Sequence, residues 1–175
     1  MTAHLKMNEE VLLPEHSAEQ TLCIYMGIEA LPKLILQLVN QGFSANTKIA
    51  VISWGTYGRQ KKVCGTFSTI EGLIAKERVK NPAMILIGEV VSNECRFNWF
   101  EQLPAFGKRY LLISTRSPTI DELIHYTSAG ADIWWHQVGE MRDKRFDPIS
   151  ERYLSEQQFE EVKFIDSTSE KLFCT

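Results

Sequence analysis

Apolar residues occur in short runs that alternate between strand spacing and helix spacing along the first half of the chain. Residues 21–26 form an apolar run ended by Gly27, and residues 29–41 then repeat apolar side chains at helical spacing. Gly42 is a suitable C-terminal cap for that helix, and residues 48–53 resume as an apolar strand. A strand, a helix and a second strand in this order favour a right-handed crossover, so the two strands are predicted to be parallel.

The next segment predicts an antiparallel hairpin followed by a second helix. Residues 54–60 contain two glycines and lead into residues 61–67, where polar and apolar positions alternate. A loop this short favours antiparallel pairing of the strands that it joins. Residues 68–76 then have helical character, with Ser68 as the predicted N-cap and Glu71 at the capping-box position.

Pro82 separates this helix from a further strand, predicted over the apolar residues 83–91. Residues 1–103 are therefore predicted to be an α/β module that contains one mixed sheet. A boundary is expected near Pro104. Beyond it, residues 107–175 predict a partial second α/β unit with too few strands to cover a sheet on both faces. Its predicted elements are strands at 110–114, 131–138 and 162–166 and a helix at 118–127.

Composition and charge exclude several classes of partner. The 175 residues are 44% hydrophobic and 23% charged, with a formal net charge of −3. The longest basic block is Arg59–Lys62, so neither nucleic acid nor an anionic membrane is a predicted partner. Apolar runs such as 83–87 are far shorter than the roughly 20 residues that a membrane span needs. With no export signal visible at the N-terminus, a soluble, cytoplasmic protein is predicted.

The cysteines predict neither a disulfide framework nor a metal site. They are widely spaced, and no Cys/His or CxxC pair has the separation of metal ligands. Cys23 and Cys64 lie inside apolar runs, where a thiol behaves as a small hydrophobic group. Buried, unpaired thiols are the resulting expectation, and no bound metal is predicted.

The segment that ends the first strand is a candidate ligand site. Tyr25 and Met26 lie at its carboxyl end, just before a helix, which is where open α/β sheets bind ligands. Gly27 lets the backbone of the chain come close to a ligand, and the N–H groups at the N-terminus of the following helix are available as donors. Ordinary core packing of Met26 followed by a turn explains the same residues, so the pattern alone leaves both alternatives open.

Longer strings give this segment a specific resemblance. The chain reads TLCIYMG from Thr21, AVISWGT from Ala50 and NPAMILIGEVV from Asn81, with VCGT between the last two. Together with Thr2-Ala3-His4, these strings resemble the second half of the uroporphyrinogen-III C-methyltransferases, members of the tetrapyrrole methylase superfamily. The resemblance covers residues 1–103. It implies the C-terminal domain of that fold, with its mixed sheet.

The resemblance also implies a chemistry and a set of residues. It implies S-adenosylmethionine as methyl donor and the conversion of uroporphyrinogen III into precorrin-2 for sirohaem and cobalamin, by a cytoplasmic homodimer. Met26 and Gly55 match positions that contact the cofactor. Further residues lie on the same motifs and are predicted to line the same cleft: Thr2, Ala3, Tyr25, Gly27, Trp54, Ala83 and Gly88.

Two departures from the family pattern limit what the chain is expected to do. The glycine-rich first domain, with its acid/base candidates, has no counterpart here, so no catalytic residue is predicted. Tyr57 also stands where family members often have arginine, a difference that is expected to weaken a contact to substrate carboxylates. An incomplete enzyme is expected, one that requires a separately encoded N-terminal half. The alternatives are a non-catalytic module for S-adenosylmethionine binding or dimerisation, and a degenerate gene fragment.

The second half of the chain has a resemblance of its own. The strings GKRYLLISTR from Gly107, SAGAD from Ser128 and FIDSTS from Phe164 resemble the opening of uroporphyrinogen-III synthase. That enzyme needs two α/β domains, and residues 107–175 match only its first few elements. Ring-closing activity is therefore not expected.

Overall fold

The computed structural model describes residues 20–96 and 98–173, apart from the side chains of residues 93–96 and of Phe146. The chain divides into two compact units. The first extends through Gly55 and resumes over Gln60–Asn98, and the second comprises Thr56–Arg59 and the chain from Trp99 onward. The second unit thus includes a four-residue segment that interrupts the first unit in sequence.

Both units contain strands and helices in mixed order along the chain. The first contains β1 (Leu22–Tyr25), α1 (Leu31–Asn40), β2 (Lys48–Ser53), β3 (Lys61–Thr66), α2 (Ile70–Glu77), β4 (Ala83–Ile87) and a 3-10 helix (Glu89–Arg96). The second contains β5 (Arg109–Ser114), α3 (Ile120–Thr127), β6 (Asp132–Gln137), a 3-10 turn (Lys144–Phe146), α4 (Asp147–Glu156), β7 (Glu161–Phe164) and α5 (Ser167–Phe173). The predicted α/β class is confirmed, and the described residues combine an antiparallel sheet with a parallel one. The prediction of a single mixed sheet within residues 1–103 is wrong, because every neighbouring pair of described strands in the first unit is antiparallel.

The sheet of the first unit has the strand order β1-β4-β2-β3, and each neighbouring pair is antiparallel. The hairpin prediction for β2 and β3 is confirmed. The prediction that β1 and β2 are parallel is also confirmed in direction, because β4 runs antiparallel to both. They are not neighbours, however, since β4 lies between them. Sequence order could not reveal this insertion, because β4 is the last of the four strands in sequence.

One face of this sheet forms the core of the first unit. A row of apolar side chains crosses all four strands in register, from Ile24 through Ile85 and Val51 to Val63, and each is buried. The buried residues of α1 and α2 belong to the same cluster. Strand side chains alternate between faces, so Cys23 lies on the face opposite this row. The prediction that Cys23 is buried is therefore wrong: it is exposed, and Cys64 is half-buried.

The ends of α1 and α2 differ in how far the sequence predicted them. After α1, the Gly42 amide donates to the Val39 carbonyl and the Phe43 amide to the Leu38 carbonyl, which completes a Schellman cap. Gly42 has φ of 100°, so its role in ending the helix is as predicted.

For α2, the N-cap is Thr69 and its side chain makes no capping bond, so the predicted Ser68–Glu71 capping box is wrong. The Ser68 and Thr69 hydroxyls lie instead against the Thr66 side chain, which withdraws them from the helix.

Strand β4 is shorter than predicted. Its pairing stops at Ile87, and Gly88 has φ of 128°, a conformation that leaves the sheet. The chain then enters the 3-10 helix instead of continuing as a strand to residue 91. An apolar run alone did not reveal this end, because Val90 and Val91 continue the run beyond the last paired residue.

The second unit is built on a parallel sheet with the order β6-β5-β7. Its three strands and α3 follow the predicted pattern to within a few residues. Thr119 and Glu122 form a complete capping box at the start of α3. Two helices were not predicted, α4 and α5, because their sequences are polar and lack a clear apolar face. Leu111, Ile113 and Val138 form the core.

Candidate cofactor site

The last residues of β1 and β2 lie on the same side of the antiparallel sheet, where the strands end. This row of strand ends is called the sheet edge below. Tyr25, the last residue of β1, is in register with Met84, and Ser53, the last residue of β2, is in register with Ala83. Because β4 starts at Ala83 between these two strands, three strand ends converge here. Met26 follows the end of β1 directly, and Gly55 lies two residues beyond the end of β2.

Backbone hydrogen bonds tie the two strand ends to the start of β4. The Met26 amide donates to the Ala83 carbonyl at 2.8 Å, and the Trp54 amide donates to the Pro82 carbonyl at 3.1 Å. The Asn81 side-chain amide donates to the Met26 carbonyl at 3.4 Å. The 81–83 turn therefore acts as a common support for the chains leaving β1 and β2.

Side-chain hydrogen bonding extends the same support below the sheet edge. The buried Ser53 hydroxyl donates to the Lys80 carbonyl at 2.7 Å. Neither this bond nor the one from Asn81 was predicted, since their partners are 27 and 55 residues apart in sequence. The Asn81-Pro82 pair predicted a break in the chain at this point, but it did not predict the residues to which the turn is hydrogen-bonded.

Two residues at this edge have left-handed backbone conformations. Met26 has φ of 58° and Trp54 has φ of 52°. Side chains other than glycine adopt this region at a cost of about 1–2 kcal/mol each. Such residues cluster at ligand sites, where the surrounding structure holds them in place. Here the two hydrogen bonds to residues 82 and 83 hold Met26 and Trp54.

The exposed surface of this edge is aromatic and uncharged. Tyr25 is 49% exposed and Gly55 is exposed, whereas Met26 and Trp54 are half-buried. Gly27 and Ala83 are buried. The candidate residues themselves include no carboxylate, imidazole or amine, and the phenol of Tyr25 is the one ionisable side chain among them.

Gly55 leaves space above the sheet edge without a conformational need for glycine. A Cβ placed there would lie 3.6 Å from the Ile52 Cγ2 atom and 3.9 Å from the Gln60 Oε1 atom, both ordinary van der Waals separations. The absence of a side chain therefore affects what can approach the edge more than how the chain folds.

The helix that follows the site contributes less than the sequence suggested. Its first residue is Leu31, four residues beyond Gly27, and not Glu29. Pro32 lies in its first turn and has no N–H group to donate. The Leu31 amide already donates to the Ile28 carbonyl at 3.2 Å. The helix N-terminus is thus a weaker anion or ligand site than the residue pattern predicted.

The structure separates one candidate residue from the others. Gly88 lies at the far end of β4 from Ala83, where its amide donates to the Lys48 carbonyl at 3.0 Å. A Cβ on Gly88 would lie 2.6 Å from the Gln20 carbonyl oxygen, so this glycine allows close backbone packing. The expectation that Gly88 lines the same cleft is therefore corrected. Thr2 and Ala3 lie outside the described residues.

A cavity lies in the second unit, at the carboxyl end of β6. It has a volume of about 380 Å³, and His136, Arg142 and Asp147 are among its lining residues. Burial, and then the nearby positive charge of Arg142, hold the pKa of His136 below its usual value. Arg142 is occupied by Asp147, to which its Nη2 atom donates at 3.0 Å. The one feature of the sequence that could have indicated this cavity is Gly139, which lies two residues beyond the end of β6.

Neither a metal-binding cluster nor a membrane-spanning helix is found in the described part of the chain. Residues 20–96 and 98–173 contain no group of three or more His, Cys, Asp or Glu side chains placed to hold a metal ion. Within the same residues, no helix is long and apolar enough to cross a membrane.

The chain shares sequence with enzymes of tetrapyrrole synthesis. It is 37% identical over 115 residues to a uroporphyrinogen-III C-methyltransferase of Bacillus subtilis, covering 65% of this chain and 23% of that protein. It is 46% identical over 72 residues to the enzyme of the same name from Priestia megaterium, covering 41% of this chain and 30% of that protein. This chain is similar in sequence to uroporphyrinogen-III C-methyltransferases.

The methyltransferase similarity is partial. The chain spans less than a third of the length of these curated relatives. A protein named porphyrin biosynthesis protein HemD, from Ruminiclostridium josui, is 30% identical over 115 residues, which is 64% of this chain and 23% of that protein. The solved structure of a cobalt precorrin-4 methyltransferase matches 41% of this chain and 30% of its own, at 22% identity and a TM-score of 0.39. No family model matches the chain.

Proposed function

We propose that this chain supplies the cofactor-binding C-terminal half of a uroporphyrinogen-III C-methyltransferase, which forms precorrin-2 for sirohaem and cobalamin synthesis. The observation that carries the proposal is the convergence of Met26 and Gly55 on one sheet edge, with Ala83 between them. Similarity to named methyltransferases at 37% and 46% identity supports the choice of reaction.

S-adenosylmethionine would supply an electrophilic methyl group on a sulfonium cation. The residues at the edge fit such a molecule because they offer apolar and aromatic surface together with strand-end carbonyls. Tyr25 and Trp54 present rings that can stack on an adenine base or face a cation. Met26 offers a polarizable contact, and Gly55 leaves room for close approach. Methyl transfer depends chiefly on such positioning.

Acid/base groups are assigned to the other half of the cleft. The candidate residues on this edge have no ionisable side chain of the kind that abstracts a proton from a pyrrole carbon, apart from the phenol of Tyr25. We therefore assign those groups to an N-terminal methylase half that joins this one, with uroporphyrinogen III bound between them. Cytoplasmic location and a homodimer are parts of the same proposal.

Residues 107–175 are proposed to be the start of a uroporphyrinogen-III synthase-like region, and residues 1–103 the methylase region. The parallel β6-β5-β7 sheet and the similarity to the protein named HemD support this assignment. With three strands, the described sheet is small for an enzyme of that class. No ring-closing activity is assigned to it.

A second candidate function is a non-catalytic module that binds S-adenosylmethionine or mediates dimerisation. The uncharged character of the sheet edge favours it, because such a surface can bind a ligand without performing proton transfer. The two candidates differ in whether a complementary half restores turnover.

Calorimetric titration with S-adenosylmethionine, with and without the N-terminal half of a related methyltransferase, tests both candidates. Weak binding by the chain alone is expected, since one wall of a cleft supplies few contacts. Tighter binding and methylation of uroporphyrinogen III on addition of the other half would support the enzyme component. Binding without restored methylation would favour the non-catalytic binding module. No binding in either case would reject the enzyme component and the binding module, and would leave dimerisation as the function to test.

A further inference from the structure

The four residues that follow Gly55 are built into the second unit. The Gly58 carbonyl accepts a hydrogen bond from the Gly107 amide at 3.1 Å, and Gly58 itself is buried. A Cβ on Gly58 would lie 2.9 Å from both the Ala131 carbonyl carbon and the Gly130 carbonyl oxygen, and closer still to the Asp132 amide nitrogen. Only glycine permits this backbone contact.

A buried carboxylate stands beside this contact. Asp132, the first residue of β6, has a side chain that is 7% exposed. Its Oδ2 atom lies 3.3 Å from Arg59 Nε and 3.7 Å from Arg109 Nε. Burial raises the pKa of Asp132, whereas the two arginines act in the opposite direction. A carboxylate this deeply buried needs a cationic partner. The nearer of the two arginines is Arg59, which lies on the segment after Gly55.

The position of Asp132 is itself fixed by the parallel sheet. Its amide donates to the Lys108 carbonyl at 2.9 Å, and it is in register with Arg109 on β5. The Arg59 guanidinium also lies 5.6 Å from the centre of the Tyr57 ring, so the ion pair and the ring contact belong to one short segment. Two kinds of contact thus hold the Thr56–Arg59 segment: the backbone contact of Gly58 and the ion pair that the Arg59 side chain forms with Asp132.

We infer that Asp132 is a positioning residue that anchors the Thr56–Arg59 segment through Arg59 and thereby fixes the chain direction immediately after Gly55. Thr56, in its left-handed conformation, is the first residue of this segment. Anchoring removes the entropic cost of ordering the segment when a ligand binds next to it. The effect on S-adenosylmethionine rests on the proposed function, whereas the anchoring does not.

Hydrogen exchange of two amides in the full-length chain tests the anchoring. Arg59→Gln removes the cation, so the Gly107 amide, which donates to Gly58, should exchange about threefold to tenfold faster. The Asp132 amide, which donates to Lys108, should be unchanged because it reports on the sheet. Arg59→Lys keeps a cation and should restore exchange close to that of the parent chain.

Arg109→Gln is the matched control, since it removes the other cation near Asp132 without touching the anchored segment. It should leave exchange of the Gly107 amide unchanged. Gly58→Ala provides a second route, because its Cβ would force the segment away whatever the charges. Equal acceleration in Arg59→Gln and Arg109→Gln, or acceleration of both amides together, would overturn the anchoring in favour of general loosening of the unit.

Titration with S-adenosylmethionine tests the consequence for the ligand. Arg59→Gln and Gly58→Ala should weaken binding about threefold to tenfold, and Arg109→Gln should not. Unchanged affinity despite faster Gly107 exchange would reject the positioning role while leaving the proposed function intact. A parent chain that binds no S-adenosylmethionine would reject the proposed function and the ligand effect, and the exchange data would still decide the anchoring.

Discussion

Met26 and Trp54 occupy equivalent places at the ends of two strands that are not neighbours. Each has a left-handed backbone conformation, and each donates its amide to the turn that opens β4, Met26 to Ala83 and Trp54 to Pro82. β4, the last strand of the first unit in sequence, therefore brings together two segments separated by 28 positions, and the candidate cofactor site depends on that strand.

Gly55→Val is expected to abolish S-adenosylmethionine binding without unfolding the chain. Valine would occupy the space at the sheet edge, whereas the backbone there needs no glycine conformation and the nearest atoms are 3.6 Å from a Cβ. Calorimetric titration measures the binding, and thermal unfolding measures the fold. Gly72→Ala on α2, where a Cβ meets nothing within 4 Å, is the control and should retain binding. Unchanged binding in Gly55→Val would remove Gly55 from the site.

Ile85→Ala is expected to lower the free energy of unfolding by about 2–5 kcal/mol. Ile85 is fully buried at the centre of the row that crosses the sheet, so truncation leaves a cavity that neighbouring strands cannot fill. Leu86→Ala is the matched comparison, since Leu86 lies on the opposite, half-exposed face and should cost about 1 kcal/mol. Chemical denaturation measures both. Equal losses would show that the two faces are equally packed.

Acidification is expected to loosen the start of α3 between pH 4.5 and about 2. The Arg116 guanidinium, followed by the Thr119 amide, lowers the pKa of Glu122 from 4.5 to about 2. Because the folded-state pKa is depressed, the stabilisation is complete above pH 4.5 and is lost as the pH falls through the folded pKa. NMR titration of the Glu122 carboxyl carbon and the Thr119 amide measures it.

Glu122→Gln is the control for this pH dependence. It removes the titrating group while keeping a side chain that can accept from the Thr119 amide. The change in the α3 signals between pH 4.5 and about 2 should disappear in this variant. A pKa for Glu122 near its ordinary value in the parent chain would contradict the prediction.

The chain alone is expected to show no measurable methylation of uroporphyrinogen III. The reason is that the candidate site residues offer positioning groups without an acid or base suited to proton transfer from carbon. Incubation with S-adenosylmethionine and the porphyrinogen, followed by detection of precorrin-2, measures this. Addition of a complementary N-terminal half provides the positive control. Robust turnover by the pure chain would contradict the proposal that this is one half of a cleft.

The sequence predicted much of the local structure because hydrophobic periodicity is a local property. The spacing of apolar residues placed β2 at the observed bounds, and the short loop after it predicted its antiparallel pairing with β3. The glycine at position 42 predicted the end of α1, since the left-handed conformation required there favours glycine. By contrast, the polar helices α4 and α5 gave no such pattern and were missed.

What the sequence by itself determined is the α/β class, the strands and the candidate residues Tyr25, Met26, Trp54, Gly55 and Ala83. Only the tertiary structure decided that β4 lies between β1 and β2, that Gly88 is at the other edge of the sheet, and that residues 56–59 belong to the second unit. The physical reason is that strand order and ion pairs such as Arg59–Asp132 join residues distant in sequence. Such contacts form only when the whole chain packs, so no local pattern of side chains records them.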